Sequence, residues 1–332
     1  MNDRCWTRRS VLALPALFAP VGVSAQRTKA AASRRIGVLW LGTASTAFGP
    51  ISREVLLRDS LRQLGWVEGR NLAIESRYLG DGVDPVRSVE ELLAMNVDAI
   101  VAMGSPIALA VRHVTGPVPV VFVVFGDPVE FGLIDSLARP GGHLTGIYMP
   151  TAEHAGKRLA LLRDAVPGTT RIAVFNFLDS RARLEARNTQ AAARKLGVQL
   201  VEMNVSTMAD LDAACLECKR AGATALTVLT EPRTSVHLAR VAERSLAHRL
   251  PSVAGYAGFA WLGGFMAYGA DGGEGIRRAA SFVARILDGA RPADLPVEQS
   301  TRYVLALNIQ TARKLGVRFP RALVRYANVV IS

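Results

Sequence analysis

The chain has few of the residues from which enzymes build reactive centres. It contains three cysteines and five histidines among 332 residues. The histidines lie apart in the sequence, without the spacing of metal ligands. The G-x-S-x-G, G-x-x-x-x-G-K-[ST] and H-E-x-x-H patterns are absent from it. We therefore expect no catalytic residue, no metal site and no cofactor.

The cysteines do not follow a redox or zinc pattern. Cys5 lies near the N-terminus, and Cys215 and Cys218 lie on one face of a predicted helix at 209–221. A thioredoxin-like pair would occupy a strand-to-helix turn, and a zinc site needs more ligands. We predict two buried or half-buried helix cysteines, with a disulfide in an oxidising compartment as the alternative.

No apolar run approaches the roughly 20 residues that a membrane-spanning helix requires. The apolar run at 11–23 follows several arginines and precedes small side chains, which is typical of a signal peptide. We predict a signal peptide at 1–25, cleavage after Ala25 and a periplasmic mature protein. Arg8 and Arg9 resemble a twin-arginine signal. The general secretory route is the alternative.

Aromatic residues are also scarce, at 6%, although the formal net charge is +12. A nucleic-acid interface would cluster lysine and arginine with aromatics or place them on a recognition helix. Here the basic residues are scattered among acids along helix faces. This distribution predicts a solvated basic surface and no nucleic-acid partner.

Short apolar runs that alternate with helix-period segments predict parallel sheets covered by helices. The first half of the chain predicts strands at 36–41, 71–78, 99–103 and 118–125, with helices at 52–64, 86–95 and 107–114. The second half repeats the order, with strands at 171–177, 199–204, 225–229 and 251–255, and helices at 183–196, 209–221 and 236–248. The fold class is therefore α/β, with two doubly wound parallel-sheet lobes.

The chain is expected to pass between the lobes three times, at 144–150, 265–270 and 297–305. Each lobe is then discontinuous. The N-terminal lobe takes residues 34–147 and 270–298, and the C-terminal lobe takes 150–265 and 300–332. Several short connections between stiff lobes predict a multi-strand hinge.

Ligands of such sheets bind outside the carboxyl ends of the strands, so the loops after strands are where ligand contacts are expected. The candidate ligand-binding residues in these loops are Thr43, Ser45, Gly104, Ser105, Gly126, Asp127, Asn176, Glu231, Tyr256 and Asp271.

Four of these candidates carry specific roles, each with a structural alternative. Ser105 before Pro106 predicts a helix start whose N–H groups can hold a carboxylate, or simple capping. Asp127 or Glu231 can accept a hydrogen bond from a ligand ammonium group, or cap a helix or turn. Tyr256 can stack on a flat apolar ligand, or pack the lobe interface.

Several segments together resemble one known family. They lie at 64–71, 126–129, 136–142, 155–159, 289–299 and 311–316. The chain resembles ABC-transporter substrate-binding proteins of the tryptophan/tyrosine-type family, which have a type I periplasmic-binding fold. The resemblance implies a small solute as ligand, with aromatic amino acids as the namesake, and an ABC permease in the inner membrane as partner. His143 and residues 230–232 depart from the usual family pattern.

Two other classes of protein share this architecture. One is the ligand-sensing domain of a regulatory system, although no helix-turn-helix precedes Ile36. The other is an α/β transferase such as a sugar-nucleotide transferase. Retention in the cytoplasm together with turnover of a nucleotide sugar would favour the transferase.

The export signal generates a direct prediction. N-terminal sequencing of the periplasmic protein should give Gln26 as the first residue, because signal peptidase cleaves after small side chains. Replacing Arg8 and Arg9 together by lysine should block export by the twin-arginine route. Normal export of that variant would leave the general route, and a full-length cytoplasmic protein would contradict export altogether.

Overall fold

The computed structural model describes residues 33–42, 52–80, 83–177 and 182–332. The predicted signal peptide, Thr43 and Ser45 lie outside the described residues. The strands in chain order are β1 (Arg34–Leu41), β2 (Leu72–Leu79), β3 (Ala99–Met103), β4 (Val120–Phe125), β5 (Leu144–Met149), β6 (Arg171–Phe177), β7 (Gln199–Val205), β8 (Ala225–Val228), β9 (Ser252–Ala254), β10 (Met266–Ala270), β11 (Glu298–Gln299), β12 (Tyr303–Asn308) and β13 (Val329–Ile331).

Helices connect these strands. They are α1 (Arg53–Gln63), α2 (Pro85–Ala94), α3 (Ser105–Val111), α4 (Ala155–Ala165), α5 (Arg183–Leu196), α6 (Leu211–Arg220), α7 (Pro232–Ala247), α8 (Gly272–Leu287), α9 (Ile309–Leu315) and α10 (Arg321–Tyr326). Among the described residues, no helix is both long and apolar enough to span a membrane.

The strands form two sheets. The first has the order β11-β5-β4-β3-β1-β2, and the second has the order β13-β12-β10-β9-β8-β6-β7. Every described pairing is parallel except β10 with β12. Helices cover both faces of such sheets, which explains why β3 is buried along its whole length and reads as a continuous apolar run. The predicted fold class of two doubly wound α/β lobes is confirmed.

The chain passes between the two sheets three times. It leaves the first sheet after β5, returns where β10 leads into α8, and leaves again between β11 and β12. Helix α8 packs on α1 and on strands β3, β4 and β5 of the first sheet. Because both later crossings adjoin α8, this helix sits where the two lobes meet.

The segments predicted as plain connections contain regular structure. Residues 144–150 and 265–270 largely form β5 and β10, and 297–305 holds β11 and the start of β12. A short strand and an extended linker look alike in sequence, because only the pairing partners distinguish them. The glycines at the start of 272–287 are turn signals, so no helix is predicted there, although the structure has one. Asp271 caps that helix by accepting a hydrogen bond from the Gly273 amide at 2.9 Å.

The cysteine prediction agrees with the structure. Cys215 and Cys218 are free thiols on α6, and both are buried. Burial raises the pKa of Cys215 to about 12 and that of Cys218 to about 11, so both remain protonated at neutral pH. The buried helix cysteines are confirmed, and they do not form the alternative disulfide.

A buried ion pair joins two helices of the second lobe. Arg158 of α4 contacts Glu185 of α5, and each side chain is only 2% exposed. Arg158 Nη2 also donates to the Thr151 carbonyl at 2.9 Å, and Thr230 Oγ1 donates to the Glu185 carboxylate at 3.3 Å. These extra hydrogen bonds offset part of the cost of burying both charges.

Removing one member of this pair should be far more harmful than removing a surface pair. We predict that Glu185→Ala lowers the free energy of unfolding by ~3–5 kcal/mol, because a buried guanidinium loses its counter-charge. Asp59→Ala breaks the exposed pair with Arg62 and should cost under ~1 kcal/mol. Urea unfolding measures both. The double replacement Arg158→Met with Glu185→Leu should recover most of the loss, and equal costs for Glu185→Ala and Asp59→Ala would contradict the account.

Candidate ligand site

A cavity of about 410 Å³ lies between the two lobes. Met103 and Phe125, at the ends of β3 and β4, line one side, and Tyr256, just after β9, lines the other. Carboxyl ends of parallel strands from both sheets therefore face the same space, as expected for ligand sites in open α/β sheets. The volume falls within the range of small-molecule sites.

Aromatic side chains from both lobes line the cavity. Trp40 and Phe125 come from the first lobe, and Tyr256 and Trp261 from the second. The rings of Phe125 and Tyr256 meet edge to face, with centroids 4.7 Å apart, so this contact joins the lobes across the cavity. The Trp40 indole Nε1 donates to Ser76 Oγ at 3.3 Å, which fixes the ring while its body stays apolar.

The rest of the wall includes one acidic and three basic side chains, Asp271, Arg53, Arg277 and Arg302. Asp271 Oδ2 lies 3.2 Å from Arg302 Nε and 3.7 Å from Arg277 Nη2. The Asp271 amide also donates to the Arg302 carbonyl at 2.9 Å. Asp271 therefore holds two guanidinium groups beside the start of α8.

Arg53 approaches the cavity from the first turn of α1. Both of its terminal nitrogens donate to the Leu41 carbonyl at 3.1 Å, and its guanidinium lies 5.3 Å from the Trp40 ring centre. Burial lowers the pKa of Arg53 to about 10, against the opposing influence of Tyr78 and Glu54. The group is still charged at neutral pH, so the cavity carries a partly buried cation beside an aromatic surface.

No group of three or more His, Cys, Asp and Glu side chains within the described part of the chain is arranged to hold a metal ion. The cavity wall consists of apolar groups, glycine backbone, a few small polar side chains and the four charged side chains named above. This arrangement can hold a small organic molecule by apolar contact and charge complementarity.

The family model for ABC transporter substrate-binding proteins matches residues 55–331. The chain belongs to this family. Its members are extracytoplasmic proteins that hold a small solute for an ABC transporter. The cleft between the lobes is where a fold of this kind accommodates a solute.

Relatives and solved structures agree on the fold. The chain is 23% identical to a tyrosine-binding protein of Clostridioides difficile (strain R20291) over 263 residues, which cover 78% of this chain and 75% of the relative. A solved ABC domain from Streptococcus pneumonia in complex with L-Trp has a TM-score of 0.77 at 19% identity, covering 90% of this chain and all of the other. A conserved domain protein from Vibrio cholerae has a TM-score of 0.76 at 22% identity, covering 90% and 99% of the two chains.

The structure brings only part of the predicted residue set to the cavity. Of the described candidates, Gly104, Ser105, Tyr256 and Asp271 line it. The other described candidates, Gly126, Asp127, Asn176 and Glu231, are not among the lining residues. Their contact with a ligand stays a prediction.

Ser105 does not cap α3 as expected. The N-cap is Gly104, whose φ of 133° suits glycine, and Ser105 is the first helical residue. Its hydroxyl donates to the Phe125 carbonyl at 3.0 Å and accepts from the Phe125 amide at 2.9 Å. The side chain therefore ties α3 to the end of β4.

Asp127 and Gly126 lie just past the end of β4. The Asp127 side chain is exposed, and its Oδ1 accepts hydrogen bonds from the amides of Val129 at 2.8 Å and Glu130 at 3.4 Å. This geometry matches the capping alternative. Gly126, with φ of 93°, donates its amide to the Met149 carbonyl at 2.9 Å and so joins the ends of β4 and β5.

Glu231 and Tyr256 are linked within the second lobe. The Tyr256 hydroxyl donates to the Glu231 carbonyl at 2.8 Å, and Thr234 Oγ1 donates to the Glu231 carboxylate at 3.0 Å. Burial, with the charges of Glu185 and Glu231, raises the pKa of Tyr256 well above its ordinary value. Asn176 is the second-last residue of β6. Its buried side-chain Oδ1 has no hydrogen-bond partner in the described structure.

Sequence reasoning missed the three arginines and both tryptophans of the cavity. Arg53 lies in the first turn of the helix that follows β1, Arg277 lies in the second turn of the helix that follows β10, and Arg302 lies in the third predicted crossing. Their positions near strand ends and crossings are the feature of the sequence that could have identified these arginines as cavity residues. Scattered arginines elsewhere in a strongly basic chain obscured it.

The Asp127 geometry can be tested without a ligand. We predict that Asp127→Ala lowers the free energy of unfolding by ~0.5–2 kcal/mol, because two turn amides lose their acceptor. Asp127→Asn keeps a side-chain oxygen at that position and should retain nearly wild-type stability. Chemical denaturation compares the variants. Wild-type stability in both would show that the cap contributes nothing.

Proposed function

We propose that this chain captures a small aromatic solute, an aromatic amino acid or a related aromatic acid, and delivers it to an ABC permease in the inner membrane. The observation that carries the proposal is the inter-lobe cavity, where aromatic side chains of both lobes adjoin three arginines. A flat apolar group suits the aromatic walls, and a carboxylate suits the guanidinium groups. The relatives named for tyrosine binding and crystallised with L-Trp support the same class of ligand.

The protein is proposed to act in the periplasm after removal of residues 1–25. The arginine-flanked apolar segment in the sequence supports export, and membership in an extracytoplasmic family agrees with it. In that compartment the open cleft would take up solute, and closure of the lobes around it would form the surface that a permease recognises.

The proposed role involves binding without chemistry. Catalysis requires a nucleophile, a general acid or base, or a metal next to the substrate. Among the described residues that line the cavity, the one carboxylate, that of Asp271, is already paired with arginine, and the Ser105 hydroxyl is engaged by backbone. Family membership likewise favours this role over the regulatory and transferase alternatives.

Ligand titration tests the proposed function. Calorimetry with L-tyrosine, L-tryptophan and their deaminated analogues, hydroxyphenylpropionate and indolepropionate, should detect binding of at least one. Trp261→Ala should weaken that binding by about tenfold, because an aromatic contact of ~1.5 kcal/mol is lost. Trp66→Phe is the control, since Trp66 packs on the first-lobe core and does not line the cavity. Binding of leucine with no binding of any aromatic compound would contradict the proposal.

A further inference from the structure

The charges around the cavity are unequal. Its described lining contains three cations, Arg53, Arg277 and Arg302, against the single anion Asp271, which leaves a net charge of +2. Arg277 and Arg302 have side chains 47% and 66% exposed, so they lie at the mouth, whereas Arg53 is only partly exposed beside Trp40. A solute entering the cleft therefore meets positive charge at the mouth and along one wall.

The one carboxylate in the described lining of the cavity has a partner on each of its oxygens. Asp271 Oδ1 accepts from the Gly273 amide, and Oδ2 pairs with Arg302 and Arg277. A Cβ placed on Gly273 would lie 3.1 Å from Asp271 Oδ1 and 3.5 Å from Arg277 Nη1. The carboxylate and this guanidinium group therefore both lie close to the Gly273 Cα. A ligand ammonium at Asp271 would have to displace or adjoin two guanidinium groups of its own sign.

The other acids considered for an ammonium do not face the cavity. Asp127 is exposed at the end of β4, and Glu231 is buried in the second lobe beside Thr234. Among the segments after residue 33 that lie outside the described structure, 43–51 contains no charged residue, 178–181 contains one acid and one arginine, and 81–82 contains one acid. Even if every one of these charges faced the cleft, the balance would stay positive.

We propose that the cleft selects a net-anionic aromatic carboxylate over the amino acid of the same skeleton, with Arg53, Arg277 and Arg302 as the groups that set this preference. The proposal rests on the proposed function and specifies the ligand class of the same site. A carboxylate gains charge-assisted hydrogen bonds from guanidinium donors. An ammonium group taken into the same space loses water and meets like charge, which opposes binding.

Matched ligands separate the charge preference from aromatic recognition. Calorimetry compares hydroxyphenylpropionate with L-tyrosine and indolepropionate with L-tryptophan, since the members of each pair differ only in the ammonium group. We expect the deaminated acid of the better-bound pair to bind at least about tenfold more tightly. Tyramine and tryptamine, which lack the carboxylate, should not bind detectably. Equal or tighter binding of the amino acid would overturn this inference and leave the proposed function standing, whereas no binding by any of these compounds would overturn both.

Variants of the arginines test the cause of the preference. Arg302→Gln removes one partner of Asp271 and one cation, so the ratio of the amino-acid Kd to the acid Kd should fall several-fold. Arg53→Gln should weaken the acid by about tenfold or more, because a charge-assisted hydrogen bond is lost. Arg62→Gln is the control, since Arg62 is an exposed arginine of α1 outside the cavity.

Both Kd values in the ratio are measured on the same preparation of a variant. Partial unfolding affects both values alike, so the ratio does not change. Thermal melting reports folding separately. An unchanged ratio in Arg302→Gln together with unchanged acid affinity in Arg53→Gln would overturn the assignment of the preference to these residues.

Discussion

The carboxylate of Asp271 is the contact on which the junction of the two lobes depends. One oxygen caps the first turn of α8, and the other pairs with Arg302 at the start of β12. The Asp271 backbone amide donates to the Arg302 carbonyl, so main chain and side chain join the same two segments. The second and third crossings are thereby fixed to each other beside the cavity.

Glu274, in the first turn of α8, extends this junction. Its carboxylate accepts from Ser300 Oγ at 2.9 Å and from the Arg302 amide at 3.2 Å, and it pairs with Arg278 at 3.2 Å. Helix α8 itself packs on the first sheet, whereas β12 belongs to the second. Charge pairing at one helix start thus connects the lobes and orients guanidinium groups toward the space between them. The junction of the lobes and part of the proposed ligand preference therefore depend on the same charge pairing.

The fold could be predicted from sequence because its signal is local. Apolar runs such as 99–103 and 171–177 have the bounds of β3 and β6, and glycine at 197 ends α5 where expected. The positions of the crossings were predicted but their strands were not, since the pairing that defines these strands involves segments far away in the sequence. Helix α8 was missed because its opening glycines resemble a turn until Asp271 is seen to cap it.

The site was less predictable because its charges come from three separate segments. Asp127 and Asp271 each follow a strand, and the turn signals around Asp271 made Asp127 the better candidate for ligand contact from sequence alone. The structure leaves Asp127 exposed, two residues past the end of β4, and places Asp271, which directly follows β10, in the cavity wall. Long arginine side chains reach the same space from α1, α8 and the third crossing, a convergence that no local pattern encodes.

A crystal structure of the protein grown with hydroxyphenylpropionate or indolepropionate tests the central claim most directly. The account predicts that the ring lies between the lobes against Trp261 and Tyr256. It also predicts that the carboxylate accepts hydrogen bonds from at least one of Arg53, Arg277 and Arg302. A ligand bound outside the cleft, or one whose carboxylate points away from all three guanidinium groups, would contradict it.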